Sequence, residues 1–571
     1  MKVVNVGDYK VYVSAPKAGR KFKVKLSDLI KTKFQAPYDE SNIKEIMIFS
    51  LEHYAQEFEK ICRNETCFLF YKYMFWLHEQ SVELNRNIEA KKTLEAKIGK
   101  AYLPIYRRVL KLILEEACLI KLDAKKPKPS YKKVAETLED LLCLGDEILT
   151  MATLLAEQDM IGDVVAMDFD DEGLYHLKRN HYYDLSFEKI VDMNAYESNS
   201  FAIDKNADKD FNEVVKNAFH FDFANLLQFI STGFEVRNLD KWDALDISTS
   251  GLSAGMKEYF DVPEDNTQAF LSGLCFSKNI KIPIKDVIRK PYSMNRFLNR
   301  PILIWNINGI DSWVLGKHSM GEGIDTLLLN AFPWNNAPQE WKDNPVFKTF
   351  LIKKESEHER ILNDAVEEKI KPLNLIYQPA VKKLVTKAET VHIHTLCGEI
   401  DFLVVDINSK KVYVIECKHL LGRYDMANFH MDYKSFTKPK GFNDKIEKKI
   451  NWIKQNISLV EEHFQAGKKL NTSIQDFTVE GFFVINTPTF YMYYSPFRIY
   501  TYHEVDTVLK GEYTDKTYDL LIDEEESITT IFLKYPYFIK KKLIYYDDPY
   551  ADYPVDKYGQ PIIPEELNRT N

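Results

Sequence analysis

Residues Thr390 to Leu420 read TVHIHTLCGEIDFLVVDINSKKVYVIECKHL, two apolar and β-branched runs on either side of Asp406, Asn408 and Ser409. Turn-forming residues between two such runs predict an antiparallel hairpin. A turn centred on Asn408 and Ser409 places Ile407 opposite Lys410, and the same register pairs Val405 with Val412 and Leu403 with Val414. It then sets Asp401 against Glu416, and Glu399 against Lys418. Directly opposed residues of a ladder have Cβ atoms about 4.5 to 5.5 Å apart on one face, where like charges are destabilising. Val412 and Val414 on one face, with Tyr413, Ile415 and Cys417 on the other, predict a strand buried on both sides. A carboxylate pair in such a place needs a shifted pKa, a cationic partner or a metal ion. Mg²⁺ answers that need, because it takes oxygen ligands and often uses only one or two protein carboxylates. Lys418, two residues beyond Glu416, projects to the same face.

Gly398-Glu399-Ile400-Asp401, a hairpin and then Glu416-Cys417-Lys418 resemble the PD-(D/E)xK nuclease superfamily with its restriction-endonuclease-like core. The proline of that name is Ile400 here. The resemblance implies that Asp401 and Glu416 hold Mg²⁺, for which Mn²⁺ can substitute, with the Cys417 carbonyl as a further ligand. It also implies that Lys418 positions or activates the attacking water. In such nucleases a helix ahead of the hairpin often carries a further Glu, followed by apolar residues three and seven positions on. Glu359, Leu362 and Val366 have this spacing, and Glu355 is the alternative. The competing reading of Glu359 is a solvated, ion-pairing helix face. For E-x-K alone the competing reading is a cross-strand ion pair, with Glu399 neutralising Lys418.

A chain of 571 residues predicts two to four domains, and 45% hydrophobic with 28% charged residues fits globular structure with ample core. No apolar run reaches the roughly 18 residues of a membrane-spanning helix, and MKVVNVGDYK lacks the core of a signal peptide, so a cytoplasmic protein without membrane partners is expected. Seven scattered cysteines without a C-x-x-C pair argue against a disulfide framework and a structural zinc site. Net charge of −9 excludes coating of nucleic acid by bulk electrostatics. Residues 345–505 nevertheless carry 23 basic against 20 acidic side chains, so a local phosphate-binding surface is compatible with an acidic whole.

The expected architecture is α+β and multidomain. Residues 1–40 are read as a small β element, including the run FKVKL, and 41–300 as a mostly helical region of unassigned role. The aromatic run CFLFYKYMFWLHEQ within it is read as helix packing. Residues 301–340 are read as a β-rich connector, in which Gly316-Lys317 and Gly321-Glu322-Gly323 lack the spacing of phosphate loops. Residues 341–505 form the nuclease domain, an αβββαβ core on the resemblance, and 506–571 an acidic, Tyr-rich tail.

Within the domain, Asn344-Pro345 predicts a helix start and Pro372 its end, with Phe347, Phe350, Leu351, His358, Ile361, Leu362 and Ala365 as the buried stripe. A second helix is predicted from Asp444 to Phe464, its stripe running Ile446, Ile450, Ile453, Ile457, Val460 and Phe464. Lys445, Lys448, Lys449 and Trp452 fall off that stripe and are candidate nucleic-acid contacts. Val479 to Thr487 is the closing strand.

The expected function is metal-dependent hydrolysis of phosphodiester bonds with a 5′-phosphate product, DNA being the favoured polymer and RNA the alternative. A non-catalytic nucleic-acid-binding or assembly platform is the rival reading. A helical region fused to such a nuclease also resembles the build of bacterial restriction and anti-phage proteins, in which the extra domain senses a trigger or a protein partner.

Overall fold

The computed structural model describes residues 1–15, 17–38, 40–162, 165–179, 206–290, 293–422, 426–467 and 469–514, and the backbone of 517–521, 528–539 and 542–545. Arg423, in the polar loop after Lys418, and the acidic run Glu524 to Glu526 lie outside the described residues. The chain divides into two compact units, the first comprising Met1–Leu155, Met167–Leu177 and Ile203–Glu355. The second takes in Ala156–Ala166 and the chain from Ser356. Helices and sheets are mixed in both, and no described helix is long and apolar enough to cross a membrane.

The first unit opens on the hairpin β1 (Lys2–Val6) and β2 (Tyr9–Val13), paired in antiparallel register from Lys2 opposite Val13 to Val6 opposite Tyr9. FKVKL is not extended as expected, but lies in helix α1 (Arg20–Lys33). Its strand-like alternation is overridden by a longer pattern, because Phe22, Leu26 and Ile30 repeat every four residues and are all buried on one helical face. Helices α2 (Glu40–Asn64), α3 (Phe68–Arg86) and α4 (Tyr102–Ala117) follow. The aromatic run of α3 packs as expected: Phe68, Tyr71 and Phe75 all stand edge-on to the buried Trp305 at ring separations of 6.2–6.3 Å.

Trp305 belongs to a sheet ordered β3 (Lys121–Leu122), β6 (Ile302–Ile307), β7 (Ile310–Leu315) and β4 (Leu245–Ser248), with β5 (Cys275–Phe276) also pairing with β6. Residues 301–340 are therefore not a β-rich connector. Their two strands complete the sheet of the first unit, and Lys317–Asn330 form helix α5 despite two internal glycines. Met320, Ile324, Leu327 and Leu328 give α5 its buried stripe, and a Cβ at Gly323 would lie 2.9 Å from Pro301. Gly316 at its N-cap makes room for a side chain: a Cβ there would lie 2.3 Å from the carboxyl carbon of Glu79. The buried Glu79 carboxylate accepts the backbone N–H groups of His318 at 2.7 Å and Ser319 at 2.9 Å, satisfying two donors at the start of α5.

Helix α6 (Pro345–Ile370) keeps its predicted bounds, with Asn344 Oδ1 accepting from the N–H groups of Val346 and Phe347. Ile361, expected in its buried stripe, is exposed, and Val366 is buried in its place. Leu362, Val366 and Ile370 face one side of a five-stranded sheet ordered β8 (Ile376–Val381), β9 (Ile400–Asp406), β10 (Lys411–Lys418), β11 (Thr478–Ile485) and β12 (Ile499–Thr501). The first three strands are antiparallel neighbours, whereas β10, β11 and β12 run parallel. The β9–β10 register pairs Phe402 with Ile415, Leu403 with Val414 and Val405 with Val412, as the turn arithmetic requires.

Between β10 and β11 lie α7 (Met426–Thr437), α8 (Phe442–Gln455) and α9 (Ile457–Ala466). The single predicted helix is thus broken at Asn456, whose backbone N–H turns back to Trp452 and Ile453 and whose side chain also donates to the Trp452 carbonyl. The apolar period survives the break, since Ile446, Ile450, Ile453, Val460 and Phe464 are all buried. Ile450 seats α8 against β11 at Gly481, where a Cβ would lie 2.3 Å from Ile450 Cδ1. Beyond the core, the backbone of Thr517–Leu521, Ile528–Ile539 and Lys542–Tyr545 pairs as a three-stranded antiparallel sheet.

Gly481→Ala inserts a methyl group into this contact and is expected to cost about 1–3 kcal/mol. Urea unfolding of the full chain measures it, and an unchanged midpoint would show that α8 does not depend on the close approach at Gly481.

Candidate active site

The hairpin register carries Asp401 and Glu416 to the same end of β9 and β10, where the sheet gives them neighbours of both signs. Asp401 Oδ2 accepts the Cys417 backbone N–H at 2.7 Å. Lys418 Nζ lies 3.2 Å from Glu416 Oε2, 3.0 Å from the Cys417 carbonyl oxygen and 3.8 Å from Asp401 Oδ2. The three side chains named in the sequence therefore converge. Glu399 turns elsewhere and pairs with Lys382 at 3.4 Å, so it does not supply the counter-charge of Lys418.

A fourth group completes the cluster. Lys449, on α8, is buried and places Nζ 2.5 Å from Glu416 Oε1. It was expected beside Lys445, Lys448 and Trp452 as a nucleic-acid contact, and burial corrects that reading. Lys445 and Lys448 are exposed and Trp452 is half-buried. The helical wheel contains the reason: Lys449 is one turn before Ile453 and borders the apolar stripe, whereas Lys448 points well away from it. Its path is cleared by Gly398, where φ is +101° and a Cβ would come within 3.2 Å of Lys449 Cε. The glycine of G-E-I-D thus serves a backbone conformation that side chains disfavour and the passage of a lysine.

Charge and burial set the protonation of the cluster. Burial and then the neighbouring Glu416 raise the Asp401 carboxyl to about 6, against the pull of Lys418 and Lys449. Burial alone would lower Lys418, but Glu416 and Asp401 outweigh it and raise its pKa, so it remains an ammonium. Burial drives the Cys417 thiol well above its ordinary range, and its side chain packs into the apolar layer on the α6 side of the sheet. The available donors are two carboxylates and the Cys417 carbonyl, all oxygen. Asp401 retains its proton to higher pH even beside two lysines, which calls for more positive charge, and this donor set fits a hard divalent cation.

Glu359 lies exposed on α6. The residue before it, His358, gives its carbonyl to His419 Nδ1 at 2.8 Å and stacks its ring on His419 with centroids 3.6 Å apart. This brings that turn of α6 to the strand end just beyond Lys418. No group of three His, Cys, Asp or Glu side chains that could hold a metal is gathered among the described residues. Glu355, the alternative, accepts a hydrogen bond from Asn335 within the first unit. The exit of β10 is held by Asn486 after β11, whose side-chain amide accepts from Leu420 N–H at 2.6 Å and donates to the Leu420 carbonyl at 2.9 Å. No periodicity announces Asn486 or His419 as parts of this neighbourhood.

No protein-family model matches the chain, and no curated protein and no solved structure matches it significantly.

The raised pKa of Asp401 carries a stability consequence. Its carboxyl binds a proton more tightly in the folded chain than in the unfolded one, so the penalty is full above about pH 6, fades as pH falls from about 6 to about 4 and is gone below that. In the presence of a chelator, Asp401→Asn is expected to stabilise the protein at pH 7.5 by on the order of 1–3 kcal/mol, with the advantage shrinking towards pH 4. Denaturant unfolding across that range tests it, and a variant less stable than wild type at pH 7.5 would contradict this account of the site.

Proposed function

We propose that the second unit is a restriction-endonuclease-like domain of the PD-(D/E)xK type and that it hydrolyses phosphodiester bonds in DNA with the help of a divalent cation. The observation that carries this reading is the convergence of Asp401, Glu416 and Lys418 at one strand end. The order α6, β8, β9, β10, then the helices α7 to α9, and β11 supports it, with three antiparallel strands and a fourth parallel to the third. A cross-strand ion pair would explain one carboxylate and one lysine, but not a second, half-buried carboxylate beside the same lysine. The order and the cluster are independent features, and both are those that the resemblance implies.

In this reading Asp401 and Glu416 hold Mg²⁺, or Mn²⁺ in its place, together with the Cys417 carbonyl. The chemistry supplied by the bound ion is charge neutralisation at a phosphate and a lowered pKa for water. Lys418, kept protonated by its two carboxylate neighbours, stabilises charge developing on the phosphate and orients the attacking water through its N–H donors. Glu359 follows His358, whose contact with His419 brings that turn of α6 to the strand end, and in this reading it extends the ligand set. Lys445 and Lys448 offer exposed ammonium groups on α8 to the nucleic-acid backbone, and Trp452 a partly exposed ring. The first unit serves as the sensor of a trigger or protein partner, in the manner of a bacterial defence effector.

Supercoiled plasmid, linear single-stranded DNA and RNA, each offered with Mg²⁺, Mn²⁺ or EDTA, test the proposal. Metal-dependent cleavage of DNA is expected, and Lys418→Ala should reduce it on the order of 100-fold or more. Preferential cleavage of RNA would reassign the polymer. Cleavage that survives EDTA or the loss of Lys418 would overturn the mechanism.

A further inference from the structure

Glu416 is only 3% exposed and both of its oxygens are engaged by ammonium groups from different elements. Lys418 reaches Oε2 from the same strand and is held in addition by the Cys417 carbonyl and Asp401. Lys449 reaches Oε1 from α8, and among the described residues this ion pair is the one hydrogen bond its ammonium makes. Three N–H donors on a buried ammonium with a single partner are a costly arrangement, which Glu416 sustains by its charge. Its long aliphatic stem passes a glycine, so Cβ bulk does not fix it in place. Lys449 is thus a strongly attracted but singly tethered cation on an oxygen of the carboxylate pair.

We propose that Lys449 is the resident counter-ion of Glu416 and that it competes with the divalent cation for Oε1, moving off as the ion is loaded. The inference rests on the reading of Asp401 and Glu416 as cation ligands. A divalent ion within bonding distance of Oε1 would stand a few ångströms from the Lys449 ammonium, and like charges so close in a buried site repel strongly. Lys418 has other acceptors and keeps its place, whereas Lys449 can withdraw along Gly398 towards the exposed side of α8, where Lys445 and Lys448 stand. Loading of the cation is thereby linked to release of the Lys449 ammonium from Glu416, and Lys449 acts as a positioning residue.

The test is Mn²⁺ affinity of the full chain, read from the free-ion electron paramagnetic resonance signal without nucleic acid. Lys449→Met, which keeps the stem and removes the charge, is expected to bind Mn²⁺ about tenfold or more tightly than wild type. Lys449→Arg should bind like wild type. A structural role for Lys449 would predict weaker binding on its removal. In wild type, Nζ resonances from ¹⁵N-lysine labelling, with Lys449 assigned by its loss in Lys449→Arg, should show one slowly exchanging ammonium becoming fast on addition of Mg²⁺. This keeps the proposal testable should Lys449→Met fail to fold. Mn²⁺ binding that is lost in Asp401→Ala but unchanged or weakened in Lys449→Met would overturn the inference alone, as would a Lys449 resonance indifferent to Mg²⁺. Absence of Mn²⁺ binding in both wild type and Lys449→Met would overturn the inference together with the metal-site reading beneath it.

Discussion

Two carboxylates gathered round one lysine at the end of a β-hairpin define the second unit. Sheet pairing brings Asp401 and Glu416 to the same end of the hairpin because the apolar residues that follow Asp401 in β9 and precede Glu416 in β10 accept only one register. The energy of that hydrophobic register outweighs the repulsion it creates. The cost appears in the raised pKa of Asp401, which burial and then the Glu416 charge push up, and in the two lysines gathered round Glu416. The charged cluster is thus supported by the packing of its surroundings, a common relation between a stable scaffold and an unfavourable site.

The surroundings are layered accordingly. Leu362, Val366 and Ile370 of α6 close one face of the sheet over Phe402, Val404, Ile415 and Phe482. Ile450 of α8 sits on Gly481 at the other, and the same helix delivers Lys449 one residue earlier in the chain. A glycine under Ile450 and another beside the Lys449 stem let that helix approach closely at both points. The positions of two absent side chains therefore govern where one cationic side chain ends.

Much of this was readable without coordinates. The hairpin register followed from turn position and alternation, because a period of two leaves no freedom once the turn is placed. The α6 bounds followed from Asn344, Pro345 and Pro372, whose effects are local. Lys449 was misread because periodicity distinguishes the centre of an apolar stripe from the opposite face, while a long side chain on the border can turn either way. FKVKL and residues 317–330 were misread for the opposite reason, local alternation and glycine content being overridden by burial over a longer span. Asn486 and His419 were invisible, since each acts through contacts distant in sequence, to Leu420 and His358 respectively.

The Asn486 amide has a consequence of its own. It offers Leu420 one acceptor and one donor, the same pair that a peptide group of a neighbouring strand would offer, just past the last paired residues Lys418 and Ile485. A side chain thus extends the ladder by one rung after the two backbones cease to pair. The strands can diverge there without leaving a buried peptide unsatisfied. The end of the sheet beside Lys418 is accordingly stitched by a group that is not itself backbone.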